Sequence, residues 1–169
     1  MDNKGFTLIE MMVAVAIFTL LISAGSGIFI SFIRVQRQSL ATQEVLDQTS
    51  YLMEYMSRAI RMAKKDIDGD CTLAAKLNYY FDGQCLKFIN SQDECQEFCL
   101  EDGTLKDENE NNLTSDTLTV SSFDIDLAGE NQLDDEQPKV TIFLEIQGRE
   151  QSAIKIQTTI SQRNPDVQK

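Results

Sequence analysis

The 169-residue chain has no histidine and no tryptophan, and its 27 acids against 15 bases leave a net charge of −12. The commonest general base and the commonest zinc ligand at neutral pH are therefore both missing, and a surface this acidic repels nucleic acid. There is no phosphate-binding glycine loop and no Cys–His pair, and carboxylate pairs are expected by chance among 27 acids, so the chain reads as a protein that is not an enzyme and needs no cofactor.

The first element opens at Lys4-Gly5-Phe6-Thr7-Leu8-Ile9-Glu10, where a basic residue and a glycine precede an abrupt switch to apolar sequence. From Met11 to Ile33 run 23 residues without a charge. As a helix they span about 34 Å at 1.5 Å per residue, enough to cross a hydrocarbon core of roughly 30 Å. A plain signal anchor would account for the apolar run. A cleaved secretory signal would not, because its apolar region is about 7–15 residues long and ends in a small-residue cleavage site. Here Ser23 to Gly27 lie in mid-run and apolar sequence continues beyond them. A carboxylate such as Glu10 at membrane depth is costly and by default functional. At a helix N-terminus it also gains from the macrodipole.

The segment Lys4 to Glu10 with Met11 to Phe18 resembles the N-terminal class III signal of type IV pilins and type II secretion pseudopilins. The resemblance rests on basic-Gly before the run, Phe6 after it and Glu10 five residues into the mature chain. It implies that residues 1–5 are a leader removed by a prepilin peptidase between Gly5 and Phe6, and that the Phe6 amine is then N-methylated. Residues 6–33 would stay as a transmembrane and assembly helix. It further implies that Glu10 pairs with the Phe6 amine of a neighbouring subunit and sets axial register. Expected partners are the peptidase, other pilin or pseudopilin subunits, an inner-membrane assembly platform and the lipid bilayer. The expected location is the cytoplasmic membrane, single-pass with the C-terminal domain outside the cytoplasm, and then a periplasmic or cell-surface filament. One charge signal opposes that topology: Arg34 and Arg37 flank the outer end of the anchor and only Lys4 and the α-amine flank the inner end, against the positive-inside rule. The heptapeptide is the more specific of the two signals.

Gly25 and Gly27 interrupt the anchor, each costing about 1 kcal/mol in a helix interior. They read either as close helix–helix approach or as a weak point that can stretch when the subunit leaves the bilayer. Beyond Ile33, Val45, Leu52, Met56, Ala59, Ile60 and Ala63 recur at helical spacings, so one helix is expected from about Thr7 to about Lys65. Residues 34–65 form its amphipathic continuation with a net charge of +3, and residues 66–169 form an acidic β-rich globular domain with a net charge of −14. Met53, Met56 and Met62 read as packing residues.

Past Asp70 the pattern turns to β. Cys85 to Ile89 and Cys95 to Leu100 make a hairpin around Ser91 to Glu94, and Glu101-Asp102-Gly103 turns into Thr104 to Lys106. Phe123, Ile125 and Leu127 alternate, as do Val140 to Ile146 and Ile154 to Ile160. Alternation means one buried face per strand. The expected class is α+β, a long N-terminal helix (a membrane half and a packed half) against a mostly antiparallel β-sheet, pilin-like. Its layout after residue 34 is similar to that of minor pseudopilins and minor pilins.

Cys71, Cys85, Cys95 and Cys99 are an even set, which favours two disulfides in an oxidising compartment. If Ser91 to Glu94 is the hairpin loop, Cys85 falls opposite Cys99 and Cys71 is left for Cys95. A four-thiolate zinc site and free buried thiols are the alternatives, the former with spacings of 13, 9 and 3 residues and no paired knuckles. Asp66, Asp68 and Asp70 make a candidate calcium loop against a plain helix stop and turn, and Glu130, Asp134, Asp135 and Glu136 make a second. The leading function is a structural filament subunit. The alternatives are a specialised minor pilin whose outer domain binds a surface, DNA or an exported protein, and a membrane-anchored sensor unrelated to filaments.

Overall fold

A computed structural model describes residues 5–73, 76–132 and 136–163 of the chain. Helix α1 runs Leu8–Arg61, and the strands follow as β1 Tyr80–Phe81, β2 Cys85–Ile89, β3 Cys95–Glu101, β4 Thr104–Lys106, β5 Thr119–Ala128, β6 Lys139–Gln147 and β7 Ala153–Ser161. The chain divides into two compact units at Leu40/Ala41. In the first, none of the described residues is buried, and Phe6, Leu8, Ile9 and the apolar positions that follow are exposed. This part of α1 is long and apolar enough to cross a membrane.

The second unit is built on the remaining turns of α1. Ala41, Val45, Thr49, Leu52, Met56 and Ile60 are buried along one stripe, and Ala63 follows just past the helix end. Spacings of three and four keep the stripe on one face. Met62 is exposed, so of the three methionines expected to pack only Met53 and Met56 do so. The helix stops at Arg61, four residues short of the expected end. The chain there is claimed by the sheets: the Lys64 N–H donates to Ile89 O at 2.9 Å, and Asp66 pairs with Leu77.

The strands form two antiparallel sheets rather than one, with orders β1-β2-β3-β4 and β5-β6-β7. In β6, Val140, Ile142, Leu144 and Ile146 point inward, and Phe123, Ile125 and Leu127 face them across the ladder. These side chains share a core with Leu86, Phe88, Phe98 and the α1 stripe. Ring contacts knit the layers. Tyr55 of α1 packs edge-on to Phe98 at 5.9 Å between centroids, Phe98 lies 5.7 Å from Phe88, and Phe81 meets Phe123 across the two sheets at 6.0 Å. Such pairs add about 0.5–1.5 kcal/mol each beyond area burial.

The two disulfides are Cys71–Cys95 and Cys85–Cys99, and no cysteine is free. Cys85 and Cys99 sit directly opposite in the β2–β3 register, and Cys95 opposes Ile89 at the other end of that hairpin. With every sulfur in a disulfide, no thiolate remains for a zinc site. The one cluster of candidate metal donors among the described residues, Cys85, Glu97 and Cys99, falls for the same reason.

Two glycines are required by geometry. Asp102 and Gly103 both have positive φ, 48° and 76°, which closes the two-residue turn between β3 and β4 with a twist that suits the strands. Gly148, at the end of β6, passes so close to α1 that a Cβ there would lie 2.3 Å from Val45 Cγ2 and 2.7 Å from Ser152 Oγ. Gly148→Ala should therefore overpack the seam between helix and sheet and cost about 1–3 kcal/mol, measured as a lower urea midpoint with an unchanged slope.

Candidate processing and assembly site

Gly5 and Phe6 precede the helix, and Phe6 is 84% exposed. Thr7 and Glu10 start the helix as a reciprocal cap. The Thr7 N–H and the Thr7 hydroxyl both donate to Glu10 Oε2 at 2.9 Å, and the Glu10 N–H donates to Thr7 Oγ1 at 3.4 Å. Thr7 is the N-cap and Glu10 the third helical residue, the spacing of a capping box that satisfies two otherwise unpaired amides. The T-x-x-E spacing was open to sequence reasoning, which assigned Glu10 to intersubunit register or to the macrodipole and left Thr7 unassigned. Further along, α1 passes through Gly25-Ser26-Gly27 unbroken, with the Ser26 hydroxyl donating to Ile22 O at 2.8 Å. A Cβ at Gly25 or Gly27 would meet nothing within 4 Å.

In the second unit the Asp66, Asp68 and Asp70 segment follows α1. Asp68 and Asp70 are exposed, whereas Asp66 is buried and its carboxylate is used internally. It accepts from Gly69 N at 2.9 Å, Cys71 N at 3.0 Å, Thr72 N at 2.8 Å and Thr72 Oγ1 at 2.9 Å. Its backbone is also held, since Asp66 O accepts from Gln132 Nε2 at 3.1 Å and from Lys76 N at 3.1 Å. Asp66 thus ties the loop carrying Cys71 to the exit of α1. In the second acidic loop Glu130 is half-buried and its carbonyl accepts from Asn78 N at 2.9 Å. Asp134 and Asp135 lie outside the described residues.

The end of α1 is capped from far along the chain. The buried Tyr79 hydroxyl donates to Ile60 O at 2.8 Å, Arg163 N to Arg61 O at 2.9 Å, and Gln162 Nε2 to Ala63 O at 2.7 Å. Nearer the middle of the helix, Thr117 Oγ1 donates to Glu44 Oε1 at 2.8 Å and Ser115 N to Gln48 Oε1 at 3.4 Å.

Residues 1–26 match the prokaryotic N-terminal methylation motif. This motif, the apolar helix behind it and the α+β second unit make the chain similar to type IV pilins and pseudopilins, and the helix is long and apolar enough to cross a membrane. No curated protein and no solved structure matches the chain.

Burial by itself would raise the Asp66 carboxyl. The donors from Thr72, Cys71 and Gly69 outweigh it and hold the group below the ordinary aspartate range. A carboxyl depressed on folding stabilises fully above its unfolded value of about 3.9, and that contribution is lost as pH falls through the folded value. Asp66→Asn should cost about 1–3 kcal/mol at neutral pH, because its amide group turns donors toward donors. The gap in urea midpoint between parent and variant should narrow once the pH drops below the folded titration.

Proposed function

We propose that the chain is a structural subunit of a type IV pilus-like or type II secretion pseudopilus filament, and within that class a minor pilin or minor pseudopilin. The observation that carries this reading is the continuity of the methylation motif at residues 1–26 with a single unbroken helix whose first unit buries none of its described side chains. A helix that is apolar all round and unpacked within its own chain needs lipid or other helices around it. A prepilin peptidase cuts between Gly5 and Phe6, and the Phe6 amine is methylated. The anchor then passes from the bilayer into a bundle of like helices through an inner-membrane assembly platform. Phe6 and Glu10 set the register of one subunit against the next. Gly25 and Gly27 are the point at which the anchor stretches on leaving the membrane. The globular unit faces outward, away from the cytoplasm, which suits its two disulfides.

The capping box supplies a sharp test of Glu10. Glu10→Gln keeps a side chain able to complete the box but removes the charge that would meet a neighbour's amine. Both Glu10→Gln and Glu10→Ala should insert and be processed normally, with mass spectrometry finding residues 1–5 absent and one methyl group on Phe6. Both should be depleted from sheared filaments relative to the parent. Full incorporation of Glu10→Gln would assign Glu10 to the cap alone, and an intact leader in the parent would defeat the filament reading.

No cofactor enters this function. With the Asp66 carboxylate committed to Gly69, Cys71 and Thr72, the Asp66-Asp68-Asp70 segment serves as a turn. Adding calcium or a chelator should leave the thermal midpoint of the purified protein unchanged, and a calcium-dependent rise would reassign the segment as a cation loop.

A further inference from the structure

The disulfides interleave in sequence, since Cys71 skips Cys85 to reach Cys95 and Cys85 skips Cys95 to reach Cys99. We infer that the chain is a client of a thiol–disulfide isomerase, and that an oxidase alone delivers it mispaired. The inference rests on the reading above in one respect: the outer unit must meet its oxidant on the far side of the membrane, N-terminal end first.

Delivered in that order, Cys85 arrives when Cys71 is its sole available partner, which leaves Cys95 and Cys99 for each other. Loop closure pushes the same way. The native loops are 24 and 14 residues in sequence separation, whereas Cys95 and Cys99 are only four apart in the sequence. With closure weight falling as the three-halves power of loop length, the consecutive pairing is favoured roughly 15-fold over the native one in an unfolded chain.

Folding cannot direct the choice in time. The β2–β3 hairpin would template Cys85–Cys99, but a lone two-stranded hairpin is marginal in water. The core that supports it, through Phe88 and Phe98, includes Phe123, Val140, Ile142, Leu144 and Ile146, all later in the chain than Cys99. Once formed, the wrong pairs block the fold. Cys95 and Cys99 lie four residues apart on β3, which at about 3.3 Å per residue is roughly 13 Å, whereas a disulfide needs Cα atoms within about 7 Å.

The chemistry balances. Oxidation passes four electrons and four protons from four thiols to two disulfides of a thiol oxidase. The rearrangement is redox-neutral. An isomerase thiolate attacks Cys95 of the Cys95–Cys99 bond, forming a mixed disulfide and releasing the Cys99 thiolate. Cys99 attacks Cys85 of the Cys71–Cys85 bond, forming Cys85–Cys99 and releasing the Cys71 thiolate. Cys71 then attacks Cys95 of the mixed disulfide and returns the isomerase thiolate.

The test is oxidative refolding of the reduced, full-length chain in detergent, with a thiol-free oxidant alone or with a catalytic amount of a reduced C-x-x-C isomerase added. Pairs are mapped by mass spectrometry of non-reduced peptides over time. With oxidant alone, Cys71–Cys85 and Cys95–Cys99 should dominate the early species by about tenfold, and the isomerase should speed conversion to the native pairs by at least the same factor. The Cys71→Ser/Cys95→Ser variant, which retains one possible bond, should close Cys85–Cys99 at the same rate with or without the isomerase. Native pairs dominating from the first time point with oxidant alone would overturn the inference. So would an isomerase requirement in the two-cysteine variant. The assay contains no peptidase and no filament, so failure of the filament reading shows in processing and shearing experiments and leaves this outcome separate.

Discussion

The fold of the second unit depends on how the C-terminal end of α1 is closed. A helix leaves its last carbonyls without intrahelical partners, and a buried end needs donors from elsewhere. Here they come from Tyr79, Gln162 and Arg163, residues that lie before the first sheet and after the second. One helix terminus therefore joins the start and the finish of the β-region. The same few residues begin sheet pairing through Lys64 and Ile89. The helix stops where it does because its carbonyls and the next amide are worth more to the sheets than one further helical turn.

Around that junction the polar interior is organised by saturation. The Asp66 carboxylate is expensive to bury and is tolerated because it collects hydrogen bonds from both sides of the Gly69–Thr72 turn. The turn presents Cys71 to Cys95 at the loop end of the β2–β3 hairpin, while Cys85 and Cys99 clasp its open end. The surface ion pairs, such as Lys64–Asp93 at 2.7 Å and Lys155–Glu145 at 2.9 Å, are exposed and add little by comparison. The second unit is thus held by an apolar stripe, a capped helix end and covalent clasps rather than by its many charges.

Much of this was legible in the sequence because the signals are periodic. The α1 stripe shows in the spacing of Val45, Leu52, Met56 and Ile60, and β6 shows in the alternation of Val140, Ile142, Leu144 and Ile146. Strand β1 was not legible, since two residues, Tyr80 and Phe81, have no period. Nor was the division into two sheets, because alternation tells which face of a strand is buried and says nothing about which neighbour takes its backbone. The early helix stop was hidden for a related reason: Arg61, Lys64 and Lys65 all suit a helix C-terminus, and only the distant carbonyl of Ile89 decides among them. At the N-terminus the T-x-x-E spacing of Thr7 and Glu10 carries a local meaning, a helix cap, beneath the longer motif that contains it. Asp66 was singled out for its neighbours in sequence, whereas its role follows from the amides that fold back onto it.

The interlaced cysteines have a further covalent consequence. With Cys71 bound to Cys95 and Cys85 to Cys99, any one peptide bond between Cys71 and Cys99 can be broken and both fragments stay bridged. Side-by-side pairs would leave residues 86–94, which include the exposed hairpin loop 91–94, outside every loop. Exposed loop tips are where proteases cut first. The crossing turns an exposed bend of this unit into one where a nick opens the backbone without parting the protein.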